Sequence, residues 1–426
     1  MGDTLADLCE EIVDCPHSTP VWTDDGPIVL RSHNIRSGRL VLDALSYTDE
    51  RHFGERTRRA TPRAGDLVIT REAPMGEVAR IPEGLRCCLG QRMVLLRPNP
   101  AHVDSGFLLY ALQSRAVQHQ INAHEGTGST VSNLRIHDLA RLIIPAPPIA
   151  EQRRIAGILG ALDDKIELNR RTSETLEAIA RALFRSWFVD FDPVRAKTED
   201  GDVALPPHLA RLFPARLVDS ELGKVPDGWR VARLGDEVAT ALGGTPARDE
   251  PRYWGGAIPW LNSGKANEFR VLQPSDWITQ AGLERSATKR VPARTTLLAI
   301  TGATLGQITI TELEACINQS LVAVLGSDRF PTEYLYFWMM ERMDNLLAGK
   351  TGAAQQHVNK NDVNRTLLLV PPREVLAAYR RYAQPLFDLI ELLCGESLAL
   401  SQARDAMLPR LLSGDLKAPL EATVLA

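Results

Sequence analysis

From residue 149 onward the hydrophobic pattern takes on a helical period. Positions spaced alternately by four and three hold Ile155, Leu159, Leu162, Ile166, Asn169, Ser173, Leu176, Ala180, Leu183 and Trp187, and eight of these ten are apolar. That spacing marks the seam of a helix packed along a partner. It predicts a helix of about 40 residues, or roughly 60 Å of length. The same steps return 224 positions later at Tyr379, Ala383, Leu386, Ile390, Leu393, Ser397, Leu400, Arg404, Met407 and Leu411, again with eight apolar members. Two helices with matched seams are expected to pair. Asn169, Ser173, Ser397 and Arg404 interrupt the seams, and a polar seam residue sets register at a cost in stability. Pro385 predicts a kink, and Gly414 a left-handed cap.

Elsewhere the pattern is short and strand-like. Residues 27–30, 67–70 and 93–96 alternate or run apolar, as do 258–261, 297–300 and 321–324, with glycine and proline between them. A short helix is predicted from about Phe107 to Gln120. The two sets are copies. Residues 128–188 align with 352–412 without a gap, Asp138 falling on Asp362 and Pro147-Pro148 on Pro371-Pro372. Further back, Thr19-Pro20 matches Thr245-Pro246, Ala73 and Gly76 match Ala303 and Gly306, and Cys88 and Gln91 match Cys316 and Gln319. Arg31-Ser32-His33-Asn34 then falls on Leu261-Asn262-Ser263-Gly264. The resulting plan is a module at 1–147, a long helix at 148–191, a linker at 192–228, a second module at 229–371, a second long helix at 372–414 and a tail at 415–426. The proline-rich 192–228 stretch reads as a hinge with a possible short helix at Leu209–Phe213. The fold class expected is α+β: two pseudo-symmetric β-rich domains separated by two long antiparallel coiled-coil helices. A duplicated chain suits a target that also comes in two halves, and bipartite DNA leads.

Composition adds limits. With 44% hydrophobic and 24% charged residues the chain is an ordinary globular sequence, and no apolar run approaches the ~20 residues of a membrane span. Met1-Gly2-Asp3-Thr4 opens no secretory signal, so a cytoplasmic location is expected. Six cysteines, at 9, 15, 87, 88, 316 and 394, form no C-x-x-C pair; neither a disulfide framework nor a zinc site is expected. A net charge of −4 sits awkwardly with DNA, although five arginines lie between Arg51 and Arg63 against the single acid Glu55. Catalytic motifs are missing. Gly349-Lys350-Thr351 ends like a phosphate loop, but Asp344 stands where its first glycine belongs. No dinucleotide fingerprint, Asn-Pro-Pro-aromatic motif, H-E-x-x-H or G-x-S-x-G is present.

The run from Pro147 through Glu151-Gln152-Arg153-Arg154-Ile155 and Leu162-Asp163-Asp164-Lys165-Ile166 to Phe184-Arg185-Ser186-Trp187-Phe188-Val189-Asp190-Phe191 closely resembles the central helical region of type I restriction-modification specificity subunits (S subunits). Ser220-Glu221-Leu222-Gly223 with Pro226-Asp227-Gly228-Trp229, Gly243-Gly244-Thr245-Pro246 with Tyr253-Trp254-Gly255-Gly256, and the Leu408–Gly414 ending resemble the same family. The first module departs from it, with Ser18 where the second has Gly244. The resemblance implies a non-catalytic subunit of a multi-subunit restriction endonuclease and adenine methyltransferase. Its two target-recognition domains read the halves of an interrupted double-stranded DNA site, and its helices set the gap. It also implies docking of two modification (methyltransferase) subunits, joined by restriction (translocase and nuclease) subunits. S-adenosylmethionine, ATP and Mg are then expected on those partners, with no cofactor or metal on this chain. The alternatives are a stand-alone or fused methyltransferase or nuclease, and a coiled-coil scaffold without a DNA role.

Base reading uses Arg or Lys on guanine and Asn or Gln on adenine. Candidates in the first module are Arg31, Ser32, His33, Asn34, Arg58, Arg59 and Arg71. Those in the second are Asn262, Ser263, Lys265, Lys289, Arg290, Gln355, Gln356 and His357. Gly128-Ser129-Thr130 and Gly352-Ala353-Ala354 are expected to form matching loops near DNA. Ile155, Leu159, Leu162, Ile166, Leu176, Leu183 and Trp187, with Leu386, Ile390, Leu393, Leu400, Met407 and Leu411, carry the spacer and partner helices.

Overall fold

The computed structural model of the chain describes residues 2–123, 133–199, 205–348 and 358–417. They form two compact units. One holds the described residues up to Glu167 and those from Leu398 on; the other runs from Leu168 to Ser397.

In the first unit, strands β1 (Cys9–Asp14), β2 (Thr23–Leu30), β3 (Leu67–Thr70), β4 (Val78–Arg80), β5 (Cys87–Leu89) and β6 (Met93–Pro98) build two small sheets. The larger is antiparallel with order β1-β6-β3-β4, and the smaller pairs β2 with β5 in parallel. β3 is apolar at adjacent positions because both its faces are covered. Leu67 and Ile69 enter a core with Phe107, Leu108 and Leu112, while Val68 points the other way into one with Cys15, Ala79 and Met93. The predicted helix at 107–120 is two helices, Ser105–Gln113 and Arg115–Asn122. Ser114 is extended between them (ψ 148°), and its hydroxyl accepts from the Val117 N–H, capping the second.

The second unit repeats the plan with β7 (Thr240–Leu242), β8 (Trp254–Leu261), β9 (Thr295–Ala299), β10 (Ile308–Thr311), β11 (Ala315–Ile317) and β12 (Leu321–Val324). Strand order is β7-β12-β9-β10, and β8 runs parallel to β11. Arg270–Val271 extends the first sheet beyond β10, while Asp276–Ile278 and Lys289–Val291 flank β8 and β11. The fold is therefore α+β with one topology used twice.

Ladder registers set the correspondence residue by residue. Leu30 pairs with Leu89 as Leu261 pairs with Ile317, so Arg31 corresponds to Asn262. The expected match of Arg31 with Leu261 is one residue out. The second module has extra residues between its Thr-Pro pair and this strand end, and nothing in the sequence marks where the gap belongs. Thr70 pairs with Met93 as Ala299 pairs with Leu321. The Gly76 and Gly306 amides each return to that strand end, on the carbonyls of Thr70 and Ala299. One further inserted residue thus falls within the turn.

The long helices are α1 (Ile149–Phe188, 40 residues) and α2 (Arg373–Ser413, 41 residues). The carbonyl of Pro148 accepts the amides of Glu151 and Gln152, and that of Pro372 those of Val375 and Leu376, so the second proline of each pair opens its helix. Gly414 closes α2 at φ +80°. α2 runs as helix through Pro385, which lies on an exposed face. All twenty seam positions are buried or half-buried.

In the first unit Ile155 and Leu159 share a core with Met407 and Leu411, and Asp163 binds Arg404 at 2.7 Å; the segments run antiparallel. In the second, the Asn169 amide donates to Glu396 Oε2 at 2.8 Å. Phe184, Trp187 and Phe188 surround Tyr379 with ring centroids 5.1–6.3 Å away, again antiparallel. Three of the four polar seam residues are satisfied locally: Asn169 and Arg404 across the seam, and Ser397 on the Leu393 carbonyl.

The 192–228 stretch, expected to be a linker with a short helix at Leu209–Phe213, holds more structure than that. It forms helices Asp192–Thr198 and Pro207–Ala210 and a hairpin of Leu217–Ser220 with Gly223–Pro226. Val194, Leu209, Phe213 and Val225 enter the aromatic core around Trp187, Phe188 and Trp229. Isolated apolar residues at irregular spacing gave no periodic signal for this.

Candidate nucleic-acid interface

One tight turn organises the same corner of each module. In the first it is Gly90-Gln91-Arg92, between β5 and β6. The Gly90 amide donates to the Leu30 carbonyl at 2.7 Å, and the Arg71 amide to the Arg92 carbonyl at 2.8 Å. Gln91 Nε2 donates to the His17 carbonyl at 2.5 Å. In the second module the turn is Asn318-Gln319-Ser320. The Asn318 amide donates to the Leu261 carbonyl at 3.0 Å, the Ile300 amide to the Ser320 carbonyl at 2.9 Å, and Thr245 Oγ1 to Gln319 Oε1 at 2.5 Å. Each turn therefore gathers three loops: the one after the parallel strand, the Thr-Pro loop, and the one after the central strand. A Cβ on Gly90 would lie 2.6 Å from the Leu30 carbonyl oxygen, so the closer 2.7 Å approach of the first module leaves no room for a side chain, whereas Asn318 makes the equivalent bond at 3.0 Å in the second.

Residues expected to read bases take different places here. Arg31 is exposed, and its guanidinium rests 5.3 Å from the centroid of Trp22. Ser32 is half-buried and His33 exposed. Asn34 is not presented to solvent. It is 1% exposed; its Oδ1 accepts the Arg31 amide at 3.0 Å, and its Nδ2 donates to the carbonyls of Val41 and Ala44. Arg71 is also internal, with Nη1 2.8 Å from both oxygens of Asp14, Nε on the Leu134 carbonyl and Nη2 on Asn133 Oδ1. Both residues are corrected from candidate readers to internal braces. A polar residue after a strand looks the same in sequence whether it turns outward or satisfies the turn's own backbone.

The basic run is largely committed. Arg51 pairs with Glu55, Arg63 with Glu10, and Arg56 donates to the carbonyls of Leu89, Ser18 and Pro16. Arg58 and Arg59 are exposed, and neither has an ion pair or hydrogen bond among the described residues. In the second module Asn262 and Lys289 are exposed and Ser263 half-buried. Asn262 Oδ1 accepts the Gly264 amide. Lys265 pairs with Glu268 at 2.7 Å, and Arg290 with Glu314 at 3.2 Å. Gln355, Gln356 and His357, the 128–130 and 352–354 loops, and the 349–351 tripeptide lie outside the described residues.

Sequence reasoning missed Trp22, Gln91, Arg92, Thr245, Arg248, Trp254 and Gln319, all at or beside this corner. Arg248 lies 3.7 Å from the Trp254 centroid and binds Asp276 at 2.9 Å. The repeated Thr-Pro pair and the repeated glutamine were the available signal. The thirteen apolar spacer residues lie inside the seams rather than on outer faces, which instead expose Leu168, Ile179, Leu389 and Leu392. Among the described residues, no cluster of three or more His, Cys, Asp or Glu is placed to hold a metal. No described helix is long and apolar enough to cross a membrane.

This duplicated architecture coincides with a known family. The family described as type I restriction modification DNA specificity domain matches residues 49–178 and 226–379, one stretch in each copy. The chain belongs to that family. Among relatives of this specificity-domain protein, the type I restriction enzyme HindI specificity subunit of Haemophilus influenzae is 26% identical over 371 residues, covering 76% of this chain and 80% of its own. The MjaIX specificity subunit of Methanocaldococcus jannaschii is 26% identical over 359 residues, covering 83% and 78%. The crystal structure of a type I restriction-modification system S subunit from M. genitalium matches at a TM-score of 0.53 and 15% identity over 96% of this chain and 95% of that one, a likeness of fold.

Proposed function

We propose that this chain is the DNA sequence-specificity subunit of a type I restriction-modification complex. Each module reads one half of a bipartite, interrupted double-stranded site, and the subunit acts in the cytoplasm. One observation carries the reading: two modules that share the order of their core strands keep the same backbone turn at the same corner while presenting different side chains on it. Duplicated readers of two unlike half-sites need that combination. Family membership and the named relatives support it.

In this reading the chain catalyses nothing itself. It scaffolds two methyltransferase subunits, which would bring S-adenosylmethionine, and restriction subunits, which would bring ATP and Mg. Much of its positive charge is spent on internal acids, so the complex would supply the remaining phosphate neutralisation. The test is methylome sequencing of cells with and without the chain. Loss of one interrupted methylated motif is expected; a methylome unchanged by deletion, with the modification partner expressed, contradicts the assignment. Methyl transfer by the purified chain alone would contradict its non-catalytic role.

A further inference from the structure

Several described arginines lie on an aromatic face, and what their edges do separates them. Stacking uses the flat face of the guanidinium and leaves its in-plane N–H donors available for a planar partner. Arg86 lies over Phe53, but both terminal nitrogens bind Glu50 at 2.6 Å. Arg248 is held by Asp276, Arg252 by Glu250 and the buried Arg270 by Glu177. Arg329 donates to the Pro371 carbonyl. Arg342 lies over Trp338 within the helix Thr332–Ala348, where it is half-buried and its Nε is fully buried. Arg31 differs. Its guanidinium carbon lies over the Trp22 ring at 5.3 Å from the centroid, it is exposed, and its guanidinium has no hydrogen bond or carboxylate partner among the described residues.

Its main chain is fixed as well. Asn34 Oδ1 holds the Arg31 amide, and Asn34 is itself held by two carbonyls. Leu30, the preceding residue, is fully buried, and its carbonyl is tied to the Gly90 turn. A rigid Cα with a face-supported, edge-free guanidinium is a pre-organised donor fork, and the entropy normally lost in ordering a long side chain has already been reduced. Trp22 is 46% exposed beside it and shields one side of the fork from water.

We infer that Arg31, braced by Trp22 and Asn34, is a base-reading residue of the first module and takes one guanine through its O6 and N7 in the major groove. Guanine presents two adjacent acceptors there, which match two parallel N–H donors. Trp22 and Asn34 are positioning residues. The corresponding residue of the second module is Asn262, whose Oδ1 already accepts the Gly264 amide, so the two halves are read with different chemistry at this position. This inference rests on the proposed function.

The experiment uses the full chain co-expressed with its modification partner. Its methylated motif is determined for the wild type and for Arg31→Ala, Arg31→Gln and Arg31→Lys. One guanine in one half of the motif is expected to become degenerate, with the other half unchanged. Affinity for the cognate duplex should fall about 5- to 150-fold, the worth of one bidentate pair. Affinity for a duplex already substituted at that guanine should barely move. Lysine keeps the charge but not the fork and should restore little selectivity. Trp22→Ala should soften the same position and Trp22→Phe restore it, an effect that a fold defect would not confine to one base. Melting curves identify any variant that fails to fold, and the remaining variants then decide.

A uniform loss across sequences with a shallower salt slope would make Arg31 a phosphate contact and overturn the inference. A motif unchanged in every folded variant would overturn it while leaving the proposed function intact. A wild-type complex without sequence preference would overturn both.

Discussion

Removing the carboxylate of Asp163 should unfasten the first module from the helix segments it packs on. Three donors converge there: Arg39 Nη2 at 3.1 Å and Arg404 Nη1 at 2.7 Å on Oδ1, and the Tyr110 hydroxyl at 2.7 Å on Oδ2. Asp163 and Arg404 are each 17% exposed and Arg39 28%. Burial first, then the bond to Asp163, pushes the Tyr110 phenol above its ordinary range, so it remains a donor. Losing one partner of a fully buried charge pair costs about 3–5 kcal/mol, and an exposed pair contributes about 0–1. Arg39 keeps Glu167 and the Asp163 main-chain carbonyl, and Arg404 keeps Asp405 and Ser401, but two ion pairs are lost and the Tyr110 hydroxyl is left without its acceptor in a mostly sheltered place, so Asp163→Ala should cost roughly 2–4 kcal/mol. At roughly 2–4 °C per kcal/mol for a unit of this size, the first unit's melting transition should drop by about 4–16 °C. Calorimetry of the purified chain reads this directly. A double-mutant cycle with Arg404→Met should show coupling of at least about 0.5 kcal/mol. A melting shift below about 1 °C for Asp163→Ala, or strict additivity in the cycle, refutes the idea that this cluster fastens the module.

Further predictions concern charge, bracing and backbone. Burial, followed by the neighbouring Glu391, raises the Glu312 carboxyl from 4.5 to about 7; the folded state then holds its proton where the unfolded chain has lost it, so this group's contribution to stability falls between about pH 4.5 and 7. Glu312→Gln should flatten that slope and leave the variant relatively more stable at pH 8 than at pH 4.5 in urea titrations; an unchanged pH profile counts against it. Arg71→Met should destabilise the first unit by roughly 2–4 kcal/mol by stranding Asp14 and the Leu134 carbonyl, with an unaltered melting curve as the contrary result. Gly90→Ala should cost at least about 1 kcal/mol, because its Cβ would press on the Leu30 carbonyl at 2.6 Å; loss of amide-exchange protection at residue 90 is the readout, and full protection in the variant would contradict it.

The helices were legible because their signal is periodic and long. Ten seam positions on each repeat one spacing, and every one is sheltered in the structure. The copies were legible because Pro147-Pro148, Thr19-Pro20 and Gln91 each recur: the second proline opens a long helix in both copies, and the glutamine ties the same turn to the Thr-Pro loop in both. Register inside the modules was harder: with strands as short as three residues, Leu30 and Arg31 were equally plausible partners for Leu261, and only the Leu30–Leu89 and Leu261–Ile317 pairs decide. The fate of polar residues was least legible. Arg31, Asn34 and Arg71 all follow strands in the first module, yet one is offered to solvent and two are consumed by their own module's backbone and acids. That outcome depends on which carbonyls and carboxylates a fold leaves over, which is a property of tertiary packing.

The correspondence between the modules shows what duplication held fixed and what it released. Gly90 and Asn318, Arg71 and Ile300, and Arg92 and Ser320 make the same main-chain hydrogen bonds in the two copies, although none of these pairs shares a side chain. A bond between backbone groups places no demand on side-chain identity beyond steric fit. The corner therefore keeps its shape while Arg31 becomes Asn262 and the brace Arg71 becomes Ile300. Because Arg71 spans Asp14, Asn133 and Leu134, its replacement by an aliphatic residue must be accompanied by loss of the acid it neutralised, or a charge would be stranded. The second module meets that condition by packing an apolar core there, with Ile300 4% exposed among Leu298, Val322 and Val358. Divergence at the surface is thus coupled to exchange of whole buried sets beneath it, so transplanting Arg31 alone onto position 262 should not transfer its base preference.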